Sequence, residues 1–182
     1  MRNFFYLLIL FTAFAGCKKG QTARGPKLDA CGLLTKEEIG AVQGTAIMES
    51  KSSEHSEAGL RVSQCYFGAT EASKSVSLSV TQADTDQSIK RTPKDYWQDT
   101  FGHRPAKKES DGGKEEEERE RAAPTKIEGV GDDAYWEGNR VGGALYAIKG
   151  DTFIRISLGG SDDEKTRIDK SKTLAKKTLD RF

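Results

Sequence analysis

Between residues 75 and 82 the chain reads Ser-Val-Ser-Leu-Ser-Val-Thr-Gln, so that Val76, Leu78 and Val80 alternate with hydroxyl residues. A period of two predicts a strand with one buried and one solvated face. Residues 60–69 read as a less regular strand, with Cys65 and Phe67 on one face and Val62 and Tyr66 on the other. A turn near 70–74 would join the two as a hairpin. Three further strands are expected at 134–137, 144–149 and 152–158. Gly150-Asp151 is a tight-hairpin signal between the last two, and Gly142-Gly143 implies a bulge or a wide turn. Ile154, Ile156 and Leu158 fall on one side of the last strand and Phe153 on the other.

Helical signals separate these strands. Thr35 and Glu38 form a T-x-x-E capping box, Leu34 and Ile39 sit at staple positions, and Gly44 supplies a stop. They predict a helix over 36–43, followed by a short strand near 46–48 and a polar loop, 49–60, that contains His55. Thr92 followed by Pro93 opens a second helix over 92–101, whose Tyr96, Trp97, Thr100 and Phe101 make a stripe of core type. Residues 161–182 read as a third helix, capped by Ser161 or Asp162, with Asp163 and Glu164 favouring its N-terminal dipole. Ile168, Ser171, Ala175, Leu179 and Phe182 line one face of it, which should lie across the sheet.

Residues 105–124, bracketed by Pro105 and Pro124, contain no aromatic or branched aliphatic side chain. Such a segment has too little apolar surface to join a core and is expected to be a disordered charged insertion. Glu115–Arg119 and Glu117–Arg121 are i, i+4 pairs that support at most a short solvated helix. The order of elements predicts an α+β fold. A mainly antiparallel sheet of about five strands would be covered by about three helices, in a single domain over 29–182.

The N-terminus carries a different pattern. Arg2 is followed by an apolar run from Phe4 to Phe14 and then by Ala15, Gly16 and Cys17. The run has the length of a signal-peptide core and falls short of the about 20 residues needed to span a bilayer. Phe14-Ala15-Gly16-Cys17 resembles a bacterial lipobox, with Phe14 where Leu is usual. The resemblance implies a signal peptide over 1–16, cleavage before Cys17, a diacylglycerol thioether on its sulfur and N-acylation. The protein would then be held to a membrane by its lipid. Lys18, not Asp, follows Cys17, which by the same resemblance favours the outer membrane of a two-membrane envelope. Residues 17–28 would be the lipidated cysteine and a flexible polar tether.

Charge adds an exclusion. The chain has 29 basic and 28 acidic residues, and removing Arg2 with the signal leaves 28 against 28. A balanced chain lacks the basic excess that a nucleic-acid surface requires. With Cys17 acylated, Cys31 and Cys65 remain, and an oxidising envelope makes a disulfide the expected state. It would close a loop contributing roughly 3–4 kcal/mol by chain entropy. The alternative, a redox or metal role, finds no C-x-x-C and only His55 and His103 as histidines.

The run from Cys31 through Leu33-Leu34-Thr35 to Glu38, with Cys65 and with Gly131, Asp132, Ala134 and Tyr135, resembles a group of small bacterial secreted lipoproteins carrying a domain of unknown function. The resemblance implies a disulfide-stapled α+β domain exposed in the cell envelope. It transfers no catalytic residue. The sequence shows no nucleophile elbow, zinc-helix motif or phosphate loop, and calls for no metal or cofactor. Asp132 and Asp133 read as turn-setting residues. Tyr135, Trp136 and Tyr146 form the candidate ligand face, on aromatic content alone. Two function classes follow. One is a non-enzymatic binding or interaction domain for an envelope protein or small ligand. The other is an enzyme of unrecognised type acting in the periplasm or at the cell surface, with the acidic residues of the 128–137 turn, Asp132 and Asp133 among them, and His103 as its acid–base groups.

Overall fold

The structure, a computed structural model, describes residues 26–86, 88, 91–102, 123–138 and 142–182. The signal peptide, Cys17, most of the tether, His103 and nearly all of the charged insertion lie outside the described residues.

The domain is α+β. Helix α1 (Lys36–Gln43) leads into strands β1 (Ile47–Glu57), β2 (Leu60–Ala69) and β3 (Val76–Ala83). Helix α2 (Pro93–Trp97) runs on into a π turn, Gln98–Gly102. Strands β4 (Thr125–Lys126), β5 (Asp133–Gly138), β6 (Gly143–Lys149) and β7 (Thr152–Leu158) follow, and α3 (Glu164–Leu179) completes the order. The strands make one sheet of seven in the order β1-β2-β3-β7-β6-β5-β4, with every pair antiparallel. Two meanders, β1-β2-β3 and β4-β5-β6-β7, meet where β3 pairs with β7.

The expectation of about five strands is corrected to seven: β1 extends well past the short strand expected near 46–48, and β4 has no counterpart among the expected strands. Residues 49–57, read as a loop, are the body of β1. Ten of its eleven residues are exposed, so it carries no alternation of buried and solvated positions. Its ladder to β2, from Ile47 opposite Ala69 to Glu57 opposite Leu60, holds it in place. Its charged side chains also suit an unpaired edge. Strand β4 is two exposed residues and leaves no pattern at all.

The inner face of the sheet holds the main core. Cys65, Phe67, Val76, Leu78, Val80, Leu145, Ala147, Ile154 and Ile156 pack there beneath Ile39 of α1 and Leu174, Ala175 and Leu179 of α3. Trp136 belongs to this core and is 2% exposed. Its indole lies across the backbone of β6, since a Cβ added at Gly143 would come within 2.3 Å of the ring. Gly143 thus makes room for Trp136, and at Gly142-Gly143, where a bulge or a wide turn is expected, Gly143 pairs directly with Gly138. Trp136 Nε1 donates to Glu164 Oε1 at 2.8 Å, tying the start of α3 to β5.

Caps and clasps set the helices. Thr35 and Glu38 form the full capping box, and Gly44 ends α1 in the left-handed region at φ 68°. Thr92 and Asp95 do the same for α2, with Pro93 in the first turn. Asp163 caps α3, one residue beyond the expected Ser161 or Asp162, by accepting from Thr166 N at 2.9 Å. Lys149 Nζ donates to Leu179 O at 2.6 Å and Phe182 O at 2.7 Å, fixing the far end of α3. Arg181 Nη2 reaches both oxygens of Glu38, at 2.8 and 2.9 Å, and so clasps α3 to α1. With Lys177 it supplements the Thr35 backbone N–H, the main cause that holds the Glu38 carboxyl below its ordinary value of 4.5. Cys31 and Cys65 form the disulfide, with Cα atoms 5.0 Å apart. Beside it Ala30 N donates to Ser63 Oγ at 3.0 Å, and Leu28 N to Gln82 Oε1 at 2.9 Å. The incoming chain therefore crosses the inner side of β2 and β3.

Candidate functional site

The outer face is where the sheet leaves side chains uncommitted. Cross-strand register places Gln64, Ser79, Arg155, Tyr146 and Tyr135 in one row across β2, β3, β7, β6 and β5. The next row holds Tyr66, Ser77, Ser157, Ala144 and Glu137. Directly opposed residues share a face about 5 Å apart, so each row is a continuous line of contacts.

One half of this face is covered by α2 and its π turn. Phe101 stacks on Tyr135 with centroids 4.9 Å apart and planes 3° from parallel, and it meets the Tyr146 ring at 5.4 Å. Trp97 contacts Phe101 at 4.6 Å and Phe153 at 6.1 Å, and Tyr96 stacks on Phe153 at 5.4 Å. Trp97, Phe101, Ile148 and Phe153 form a second, smaller core, with Tyr135 and Tyr146 against it. Trp97 Nε1 donates to Asp133 Oδ2 at 3.2 Å, which anchors α2 to β5. Phe153, out of step with its neighbours in the sequence pattern, is the β7 residue that this helix covers.

The candidate ligand face of Tyr135, Trp136 and Tyr146 is therefore divided. Tyr135 and Tyr146 oppose each other on the outer face, but their rings are taken up by Phe101. Trp136, the next residue along β5, points to the inner face because neighbours on a strand alternate, and its one polar atom is bonded to Glu164.

The acidic pair is engaged as well. Asp132 Oδ2 accepts from Gly150 N at 2.7 Å, bracing the β6–β7 hairpin in place of its own turn. Asp133 is held by Trp97, and Lys126 Nζ stands 3.5 Å from its other oxygen. A cleft of about 240 Å³ beside them is lined by Lys94, Asp95, Trp97, Asp132, Asp133 and Ile148. His55 stands on the exposed edge strand β1. Among the described residues, no group of three or more His, Cys, Asp or Glu is placed to hold a metal ion.

Among the described residues, the other half is polar and half-buried to exposed at Gln64 and Tyr66 of β2 and at Ser77 and Ser79 of β3, while Leu60 and Thr81, toward the end of β3 that α2 reaches, are buried. Tyr66 is 41% exposed. Gln64 Nε2 donates to Ser77 Oγ at 3.1 Å, and Ser157 Oγ donates to Gly143 O at 3.0 Å. Arg155 stands at the boundary between the halves. Its Nε donates to Tyr146 Oη at 3.1 Å and its guanidinium lies 5.7 Å from the Tyr146 ring centroid. Sequence reasoning passed over Gln64, Ser77, Ser79 and Arg155. The signal was present as the solvated positions of two alternating strands, but only the register of β3 against β7 brings them together. Comparison with family models, with curated proteins and with solved structures finds no match.

Proposed function

We propose that this chain is a lipid-anchored protein of the cell envelope whose domain binds a partner or small ligand without catalysis, through the open half of its outer face. One observation carries this reading. A single sheet face is sealed by aromatic packing on one side and left as an ordered hydroxyl, amide and guanidinium surface on the other. Solvated faces are common in antiparallel sheets. Here the boundary between the halves is held by Tyr146, so the open side chains rest on a fixed base rather than on mobile loops. The point where the chain enters the domain agrees with this use. Pro26 O and Leu28 N both bond the Gln82 side chain, so a tether from Cys17 would join on the inner side and leave the outer face clear. Nine residues from Cys17 to Pro26 reach at most about 30 Å.

Two experiments test the proposal. Cys17→Ser should abolish lipid labelling, and continued labelling would refute the anchor. Native mass spectrometry of the mature protein, gently extracted from its own membranes, should show a discrete added mass. A bare lipidated monomer would count against a stable ligand or partner.

A further inference from the structure

The geometry points to a carboxylate-binding site on the open half of the outer face, centred on Arg155 and completed by Tyr146, Ser79 and Ser77. This deepens the binding reading and rests on it. The inference begins with what each donor is already doing. Tyr146 Oη accepts from Arg155 Nε, which leaves its own O–H to donate outward. Ser77 Oγ accepts from Gln64 Nε2 in the same way, which leaves the Ser77 O–H available. Ser79, opposite both Gln64 and Arg155, makes no side-chain hydrogen bond among the described residues. Ser157 differs, because its O–H is committed to Gly143 O. The guanidinium keeps its two terminal nitrogens, and its plane is steadied by Tyr146.

The surrounding charges leave Arg155 unanswered. Among the described residues it makes no ion pair. On the same face, Asp133 is engaged by Trp97 and Lys126, and Glu137 has a partner of its own, both on β5, two strands away. Glu49, on the far edge strand, pairs with Lys51 at 2.8 Å. A single cation ringed by neutral O–H donors calls for one negative charge with planar oxygen geometry, which the guanidinium fork matches in bidentate form. A dianionic phosphate is the poorer fit. The backbone N–H groups of β3, β6 and β7 are spent in the ladder and offer no cradle for its further oxygens. The recognised group is therefore a carboxylate on a small polar ligand.

The test is an NMR titration of the full-length chain with acetate, replacing chloride at constant ionic strength. The Arg155 Nε–H signal should move saturably while the Trp97 indole N–H stays still. Arg155→Gln should weaken binding at least tenfold, read at the Ser79 amide, and Arg155→Lys should lose most of the affinity despite its charge. Ser79→Ala, which removes only a surface hydroxyl, should weaken it a few-fold and keeps the test open if Arg155→Gln misfolds. Shifts that stay linear and match those from chloride would overturn the site. So would inorganic phosphate binding more tightly than acetate. If a partner attaches to the open face while acetate does nothing, the carboxylate site falls and the binding face stands. Saturable acetate binding with no partner on that face would uphold the carboxylate site and remove the partner.

Discussion

The half of the outer face under α2 is aromatic and the half over β2 and β3 is hydroxylic, although one sheet carries both. Tyr146 and Arg155 are directly opposed across β6 and β7, yet one ring is packed against Phe101 and the other side chain faces a row of small polar groups. The difference lies in what the connections supply. The segment after β3 brings Trp97 and Phe101 back over β5, β6 and β7. The same helix reaches β3, where Thr81 opposite Phe153 is buried, while Ser77 and Ser79 further along β3 are half-buried. Coverage of a sheet face is thus decided by the helix that returns to it, and the strand residues follow, with Phe153 and Ile148 under the helix and Ser77 and Ser79 outside it.

Substitutions should separate the inner core from these two halves. Trp136→Ala should cost the most, about 3–5 kcal/mol, because it empties a fully buried site and leaves Glu164 without its indole partner. Denaturant unfolding should show one cooperative transition at lower midpoint. Phe101→Ala should cost less globally, because α2 can detach while the main core stays closed. Hydrogen exchange should rise over 93–102 and remain slow in β7, and equal acceleration of both would mean that the two cores unfold as one.

The clasp between α1 and α3 gives a pH signature. The Glu38 carboxyl is held below its ordinary value of 4.5, chiefly by the Thr35 N–H and further by Arg181 and Lys177. A depressed carboxylate contributes its stability above the unfolded value and loses it as pH falls through the folded one. Glu38→Gln should therefore be less stable than the native chain at pH 7, with the gap closing below about pH 4.5. A gap that does not change with pH would show that the Glu38 charge is not responsible. At the small end, Ser79→Ala should change stability by within about 0.5 kcal/mol, since it touches nothing but its neighbours on an open face.

The same contrast explains what the sequence revealed. Wherever one side of an element is buried and the other wet, the pattern was legible: β3, β7, α1 with its box, and the start of α2 at Thr92-Pro93. Where both sides are wet, as in β1, or the element is too short, as in β4, no period survives. The candidate ligand face is divided for a geometric reason. Tyr135 and Trp136 are adjacent in sequence, and adjacency on a strand puts side chains on opposite faces. Aromatic content located the region but not the occupant, which is Phe101 of the chain itself. Arg155 and Ser79 lie 76 residues apart in sequence and become neighbours only through the long-range pairing of β3 with β7.

The central claim is that the open half of the outer face does the binding, and photo-crosslinking in the native envelope tests it most directly. A photoreactive phenylalanine in place of Tyr66 on the open face should yield a discrete covalent adduct. The same residue in place of Thr173, on the exposed side of α3, should yield none. Adducts from Thr173 alone, or equally from both positions, would contradict the account.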